Sequence, residues 1–125
     1  MLLLADGTVV DLEAPVGPPL GIGWLGPRVD GTATLPENST LLLFTDGLFE
    51  RRGVPLDDGR AQVRDILRGS VDVPLDALCD RLLTEMLGDG VEDDVAVLAV
   101  RAHPVDAARP LEAAPELLRS GVRRG

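Results

Sequence analysis

Two short apolar runs, each joined directly to acidic residues, constrain this chain more than any other feature. Leu41-Leu42-Leu43-Phe44 is followed at once by Thr45-Asp46-Gly47, and the run Val95 to Val100 is preceded by Glu92-Asp93-Asp94. Runs this short, with turn residues at their ends, read as central strands covered on both faces rather than as helices. One strand therefore ends on an acid and the other begins on one. If the two are antiparallel neighbours, the carboxylates of Asp46 and Asp93 converge at one edge of a sheet.

Carboxylates held close together are costly unless a cation compensates them. Hard divalent ions such as Mg²⁺ and Mn²⁺ take oxygen ligands, waters included, so such an edge suits either ion. A water bound there becomes more acidic and is positioned to attack phosphate. Spacing leaves a second reading open. Asp-Gly is common in turns, and Asp93-Asp94 is equally at home in a solvated one.

The rest of the chain supplies the frame. Met1–Leu4 and Thr8–Leu12 flank Ala5-Asp6-Gly7, an Asp-Gly hairpin signal. Residues 15–31 are rich in glycine and proline and predict a structured loop, with Trp24 as its anchor on the core. A helix is expected over 60–68, with Val63, Ile66 and Leu67 on one side and Gly69 at its end. A second is expected after Pro74: Leu75, Leu78, Cys79, Leu82, Leu83 and Met86 keep a 3.6-residue period, and Gly88 stops it. Asp89-Gly90 then turns the chain into the second apolar run. Beyond His103, Pro104, Pro110 and Pro115 break the pattern, and 103–125 reads as a tail with room for one short helical stretch near Leu111–Leu118.

Composition narrows the function. With 125 residues the chain fits one small domain. It is 45% hydrophobic but only 2% aromatic (Trp24, Phe44, Phe49), so Leu, Val and Ala must fill the core. The formal charge of −9, with arginine as the sole basic side chain apart from His103, disfavours a nucleic-acid or anionic membrane surface. Cys79 is the single cysteine, which excludes an intrachain disulfide and points to a reducing compartment, the cytoplasm. No stretch approaches the roughly 20 apolar residues of a membrane span, and Met1–Leu4 is too short and uncharged for a signal peptide. Cys79 falls on an apolar helix face and reads as core. His103 has no second histidine to pair with, so a Ser/His or Cys/His catalytic pair is not in view. Neither Asp57-Asp58-Gly59 nor Asp89–Asp94 has the ligand spacing of an EF-hand.

Three segments carry a family resemblance. Residues 41–53, Leu41 to Gly53 with Thr45-Asp46-Gly47 at the centre, resemble the "TDG" segment of PPM-type metal-dependent protein serine/threonine phosphatases, closest to the bacterial SpoIIE-like branch. Residues 92–101, Glu92 to Arg101, are similar to that branch's final "DDV" strand, and Gly17-Pro18-Pro19-Leu20-Gly21 resembles its "GPPLG" loop. All three occur in the family's order. The resemblance implies an α+β fold, part of the PPM-type α/β sandwich of antiparallel strands packed with helices, over residues 1–102. It implies that Asp46 and Asp93 are ligands of one shared metal, with Gly47 letting the backbone turn sharply beside it and Asp94 supporting the turn. It also implies a two-metal site for Mn²⁺ or Mg²⁺ and hydrolysis of phosphoserine or phosphothreonine on a protein, commonly an anti-sigma-factor antagonist, with no nucleophile from the protein.

The chain departs from that family in one respect. The family's N-terminal half carries an Asp-x-x-Gly-His-Gly type motif whose aspartate bridges both metals, and no such motif occurs here. The expectation is a C-terminal part of the domain with an incomplete site, an exposed apolar sheet face, and a need for the missing half or another chain. Two functions follow: a truncated or split phosphatase, or a catalytically inactive remnant that serves as an interaction module.

Overall fold

A computed structural model gives the fold. It describes residues 1–12, 17–19, 21–23, 26–50, 53–88 and 94–108. Trp24, the Asp89-Gly90 turn, Asp93 and residues 109–125 lie outside the described residues.

The chain opens with a hairpin of β1, Leu2–Leu3, and β2, Val9–Val10. Its turn uses the Asp-Gly pair as the sequence predicts. The Thr8 N–H donates to Asp6 Oδ1 at 2.8 Å, which holds the Asp6 carboxyl below its ordinary pKa, and Gly7 takes a φ of +86° that other residues adopt only with strain. The Gly/Pro-rich loop follows with no helix or strand in its described parts. β3, Thr40–Phe44, is the first apolar run. It leads directly into a short 3₁₀ turn, Asp46–Leu48.

Helix α1, Leu56–Arg68, starts four residues before the predicted span. Asp57 and Asp58 in its first turn and Arg68 in its last complement the helix dipole, and this outweighs the glycine at position 59. Helix α2, Leu75–Leu87, agrees with the periodicity. Pro74 is its N-cap, and Gly88 closes it at φ +52°. β4, Val97–Arg101, completes the fold two residues later than the start of its apolar run.

The four strands form one antiparallel sheet in the order β2-β1-β3-β4. The expected pairing of the two apolar runs is present: Leu41 lies opposite Val100, Leu42 opposite Ala99 and Phe44 opposite Val97. The expected α+β class is thus the fold of this chain. Both helices cover one face. Leu42, Leu48, Val63, Ile66, Leu67, Leu78, Leu82 and Met86 form the core there, with Met1 at its margin. Asp11, after β2, pairs with Arg60 and Arg64 of α1 and ties the hairpin to the helix layer.

The other face corrects the reading of both runs as strands covered on two sides. Leu42 is fully buried, yet its neighbour Leu43 is 51% exposed, and Leu98 across from it is 56% exposed. Val100 and Val10 are exposed as well. The runs are apolar throughout because each strand has two apolar faces, and among the described residues only one of them is packed. Cys79 also departs from expectation. It is half-buried on the flank of α2 rather than in the core, and burial, reinforced by Asp76 and Asp80, pushes its thiol pKa up. A raised pKa leaves less thiolate and makes this a poor nucleophile.

Candidate functional site

The site forms where β3 stops. Thr45 leaves the strand in extended backbone, φ −84° and ψ 160°, and caps the 3₁₀ turn. Its own N–H still belongs to the ladder and donates to the Ala96 carbonyl at 3.0 Å. Its hydroxyl then joins the two strand ends a second time. Thr45 Oγ1 accepts the Ala96 N–H at 2.9 Å and donates to the Asp94 carbonyl at 3.2 Å. One threonine thus fastens the segment just before Asp46 to the segment that begins at Asp94. A threonine suits the position because its hydroxyl both donates and accepts while its methyl stays with the strand.

Asp46 opens the 3₁₀ turn and is exposed. Its carbonyl accepts the N–H groups of Phe49 at 2.9 Å and Glu50 at 2.8 Å. Its Oδ1 accepts the Gly47 N–H at 3.1 Å, which fixes the carboxylate's direction and leaves its second oxygen without a bond among the described residues. Gly47 is buried and keeps a negative φ, so the turn uses the absence of a side chain rather than left-handed backbone. Asp94 is exposed and meets Thr45 through its main chain. Asp93, the other expected ligand, lies outside the described residues. The structure therefore brings the main chain at Asp46 and Asp94 to the same edge of the sheet.

Two features seat this turn, and reading the sequence missed both. Phe44 and Phe49 meet edge to face, with ring centroids 5.8 Å apart and planes at 83°, and so close the base of the turn. Gly59 in α1 makes room for it. A Cβ there would lie 2.7 Å from the Phe49 carbonyl oxygen and 2.9 Å from Phe49 Cβ. A glycine inside an otherwise regular helix is the one sequence sign of such a close approach.

A cavity of about 280 Å³ flanks the turn on the open side, lined by Leu43, Phe44, Thr45, Ala96, Val97 and Leu98. The acidic edge and the uncovered apolar face are continuous there.

Asp46 offers a carboxylate oxygen at an exposed strand end, which suits a hard divalent cation. Among the described residues no group of three His, Cys, Asp or Glu side chains converges on one point. The donors among the described residues fit part of a metal's coordination shell. Among the same residues no helix is long and apolar enough to cross a membrane.

Comparison with known proteins identifies the family and the fold. The family model described as Stage II sporulation protein E (SpoIIE) matches residues 1–103. A solved structure, the RsbU and RsbW domains of Rv1364c from Mycobacterium tuberculosis, is similar with 34% sequence identity and a TM-score of 0.69. The similarity covers 82% of this chain and 29% of that one.

Proposed function

The chain belongs to the SpoIIE family of PPM-type phosphatases, and from that premise we propose that its acidic edge is part of a metal-dependent site that hydrolyses phosphoserine or phosphothreonine on a protein. The observation that carries this reading is the double tie of Thr45 to Asp94 and Ala96, which draws the two strand ends together beside an outward-facing Asp46.

In this reading Asp46 and Asp93 hold one Mn²⁺ or Mg²⁺ ion. The Gly47 N–H aims the Asp46 carboxylate, and Asp94 supports the turn through its main chain. When bound, the metals supply an activated water and neutralise charge on the phosphoryl oxygens. The protein contributes position: a carboxylate fixed at a strand end, a threonine that sets the separation of the two strands, and a seated turn beneath them. Neither Cys79 nor His103 takes part. The cytoplasm is the proposed compartment, and a phosphorylated anti-sigma-factor antagonist the proposed substrate, a class consistent with the RsbU and RsbW neighbour.

The matched region is 29% of the solved relative's length, so completion of the site is also a proposal. The bridging aspartate comes from the family's N-terminal half or from another chain. That polypeptide covers the open sheet face, whose exposed Leu43, Leu98 and Val100 have the character of a contact surface. The second reading, an inactive remnant acting as an interaction module, is favoured by the same exposed apolar face of Leu43, Leu98 and Val100.

One experiment separates the two. The chain is mixed with a polypeptide carrying the family's N-terminal half and assayed with a phosphoserine peptide and Mn²⁺. Hydrolysis that falls at least about 100-fold in Asp46→Asn, in keeping with loss of a ligand to a catalytic metal, supports the phosphatase. Equal rates for the two proteins, with no Mn²⁺ binding by calorimetry, support the remnant.

A further inference from the structure

The other end of the β3–β4 pair holds a second cleft, unrelated to Asp46. It encloses about 410 Å³ between Ala5, Asn38, Val71, Asp72, Arg101 and His103. The two sites are separated by the length of β3, roughly 13 Å for a five-residue strand.

Arg101 dominates the cleft. It is half-buried at the end of β4, and its guanidinium is held at two points: Nε donates to Thr40 Oγ1 at 3.0 Å and Nη2 donates to the Val73 carbonyl at 2.8 Å. These bonds fix the plane of the group and leave Nη1 without a partner among the described residues. Arg60, Arg64, Arg68 and Arg81 each pair with a carboxylate, whereas Arg101 pairs with none among the described residues. Asp72 lines the same cleft but forms no ion pair with it. The walls are also held. Asn38 sits at a φ of +60°, its N–H donates to the Ala102 carbonyl at 2.7 Å, and the Ala102 N–H donates to the Ser39 carbonyl at 2.9 Å. His103 and Asn38 add polar side chains to the lining.

A fixed guanidinium with unused N–H groups, set in a cleft beside an amide and an imidazole, matches a planar or tetrahedral oxyanion. The geometry points to a second ligand site, centred on Arg101, that takes a small oxyanion: a carboxylate or a phosphate group. Asp72 opposes the negative charge and keeps the affinity low. This site is independent of the proposed phosphatase reading, because Asp46 and Asp93 take no part in it.

The test is titration of the full chain with inorganic phosphate, and in a second arm with acetate, followed by ¹H–¹⁵N NMR. Metal is stripped beforehand on a chelating resin, so metal-dependent binding at Asp46 does not contribute. Saturable shifts confined to Asn38, Val71, Asp72, His103 and the Arg101 Nε–H are expected. Arg101→Gln weakens binding about tenfold or more, the loss of one hydrogen-bonded charge. Arg101 also braces β3 to the turn at Val73, so its replacement removes two structural bonds as well as the charge. Asp72→Asn and His103→Ala leave both braces in place, and they should tighten and weaken binding respectively, each by several-fold. A preference for phosphate over acetate identifies a phosphoryl ligand, and the reverse a carboxylate. Shifts scattered over the surface, no saturation in either arm, or affinities unchanged in both Asp72→Asn and His103→Ala would overturn the site and leave Arg101 as a brace.

Discussion

The two faces of this sheet are built from the same kinds of residue and end in opposite states. On β3, Leu42 points into the helix layer and is wholly buried, and Leu43, one residue on, is half in solvent. On β4, Ala99 packs against the core while Leu98 and Val100 stand exposed. Side chains alternate along a strand, so an unbroken apolar run prepares both faces for burial, while the helices among the described residues cover only one. The difference teaches that an apolar run states a strand's capacity for burial on two faces, not which face is packed. The acidic turn lies at the seam, with Leu48 and Phe49 on the covered side and the cavity at Leu43 and Leu98 on the open side.

That comparison can be broken most directly at Leu42. Leu42→Ala should cost about 2–5 kcal/mol in urea unfolding, the usual result of emptying a closed core site. Gly59→Ala comes next. An exposed helical glycine would gain up to about 1 kcal/mol from alanine. Here the 2.7 Å approach to the Phe49 carbonyl reverses the sign, to a loss of about 1–3 kcal/mol. Amide shifts at Asp46–Phe49 should move with it, and a stabilised variant with an unmoved turn would remove Gly59 from the account of the site.

Thr45→Val tests the seam itself. It keeps the shape and deletes both hydroxyl bonds, for a loss of about 1 kcal/mol. Hydrogen exchange at the Ala96 amide should quicken, and an unchanged rate would mean the strand ends are held by the ladder alone. The smallest effect belongs to the open face. Leu43→Thr and Leu98→Thr should each change stability by no more than about 0.5 kcal/mol while reducing self-association by light scattering. A loss as large as that of Leu42→Ala would show the face to be covered in the folded chain.

Much of the fold could be read from local pattern. The Asp-Gly hairpin turn, the second helix with its Pro74 start and Gly88 stop, and the pairing of the two apolar runs are consequences of short-range chemistry that the sequence displays. The first helix is longer than its apolar positions suggest, because acids at Asp57 and Asp58 favour its start even though they add nothing to the hydrophobic period. Of the proposed site, Asp46 stands at the exit of β3, where the strand pattern puts it, and Asp93 lies outside the described residues. The hydroxyl tie of Thr45 was not legible, since its partners lie 49 and 51 residues away.

The sequence alone determined the element types, the acidic ends of the two strands and the likeness to one phosphatase branch, because each of these is written in residues close together along the chain. Tertiary structure alone decided which apolar face is buried, why position 59 must be glycine, and that Arg101 stands fixed in a cleft without a carboxylate partner among the described residues. Those outcomes depend on what packs across the sheet, and distance in space is not a property that residue order displays.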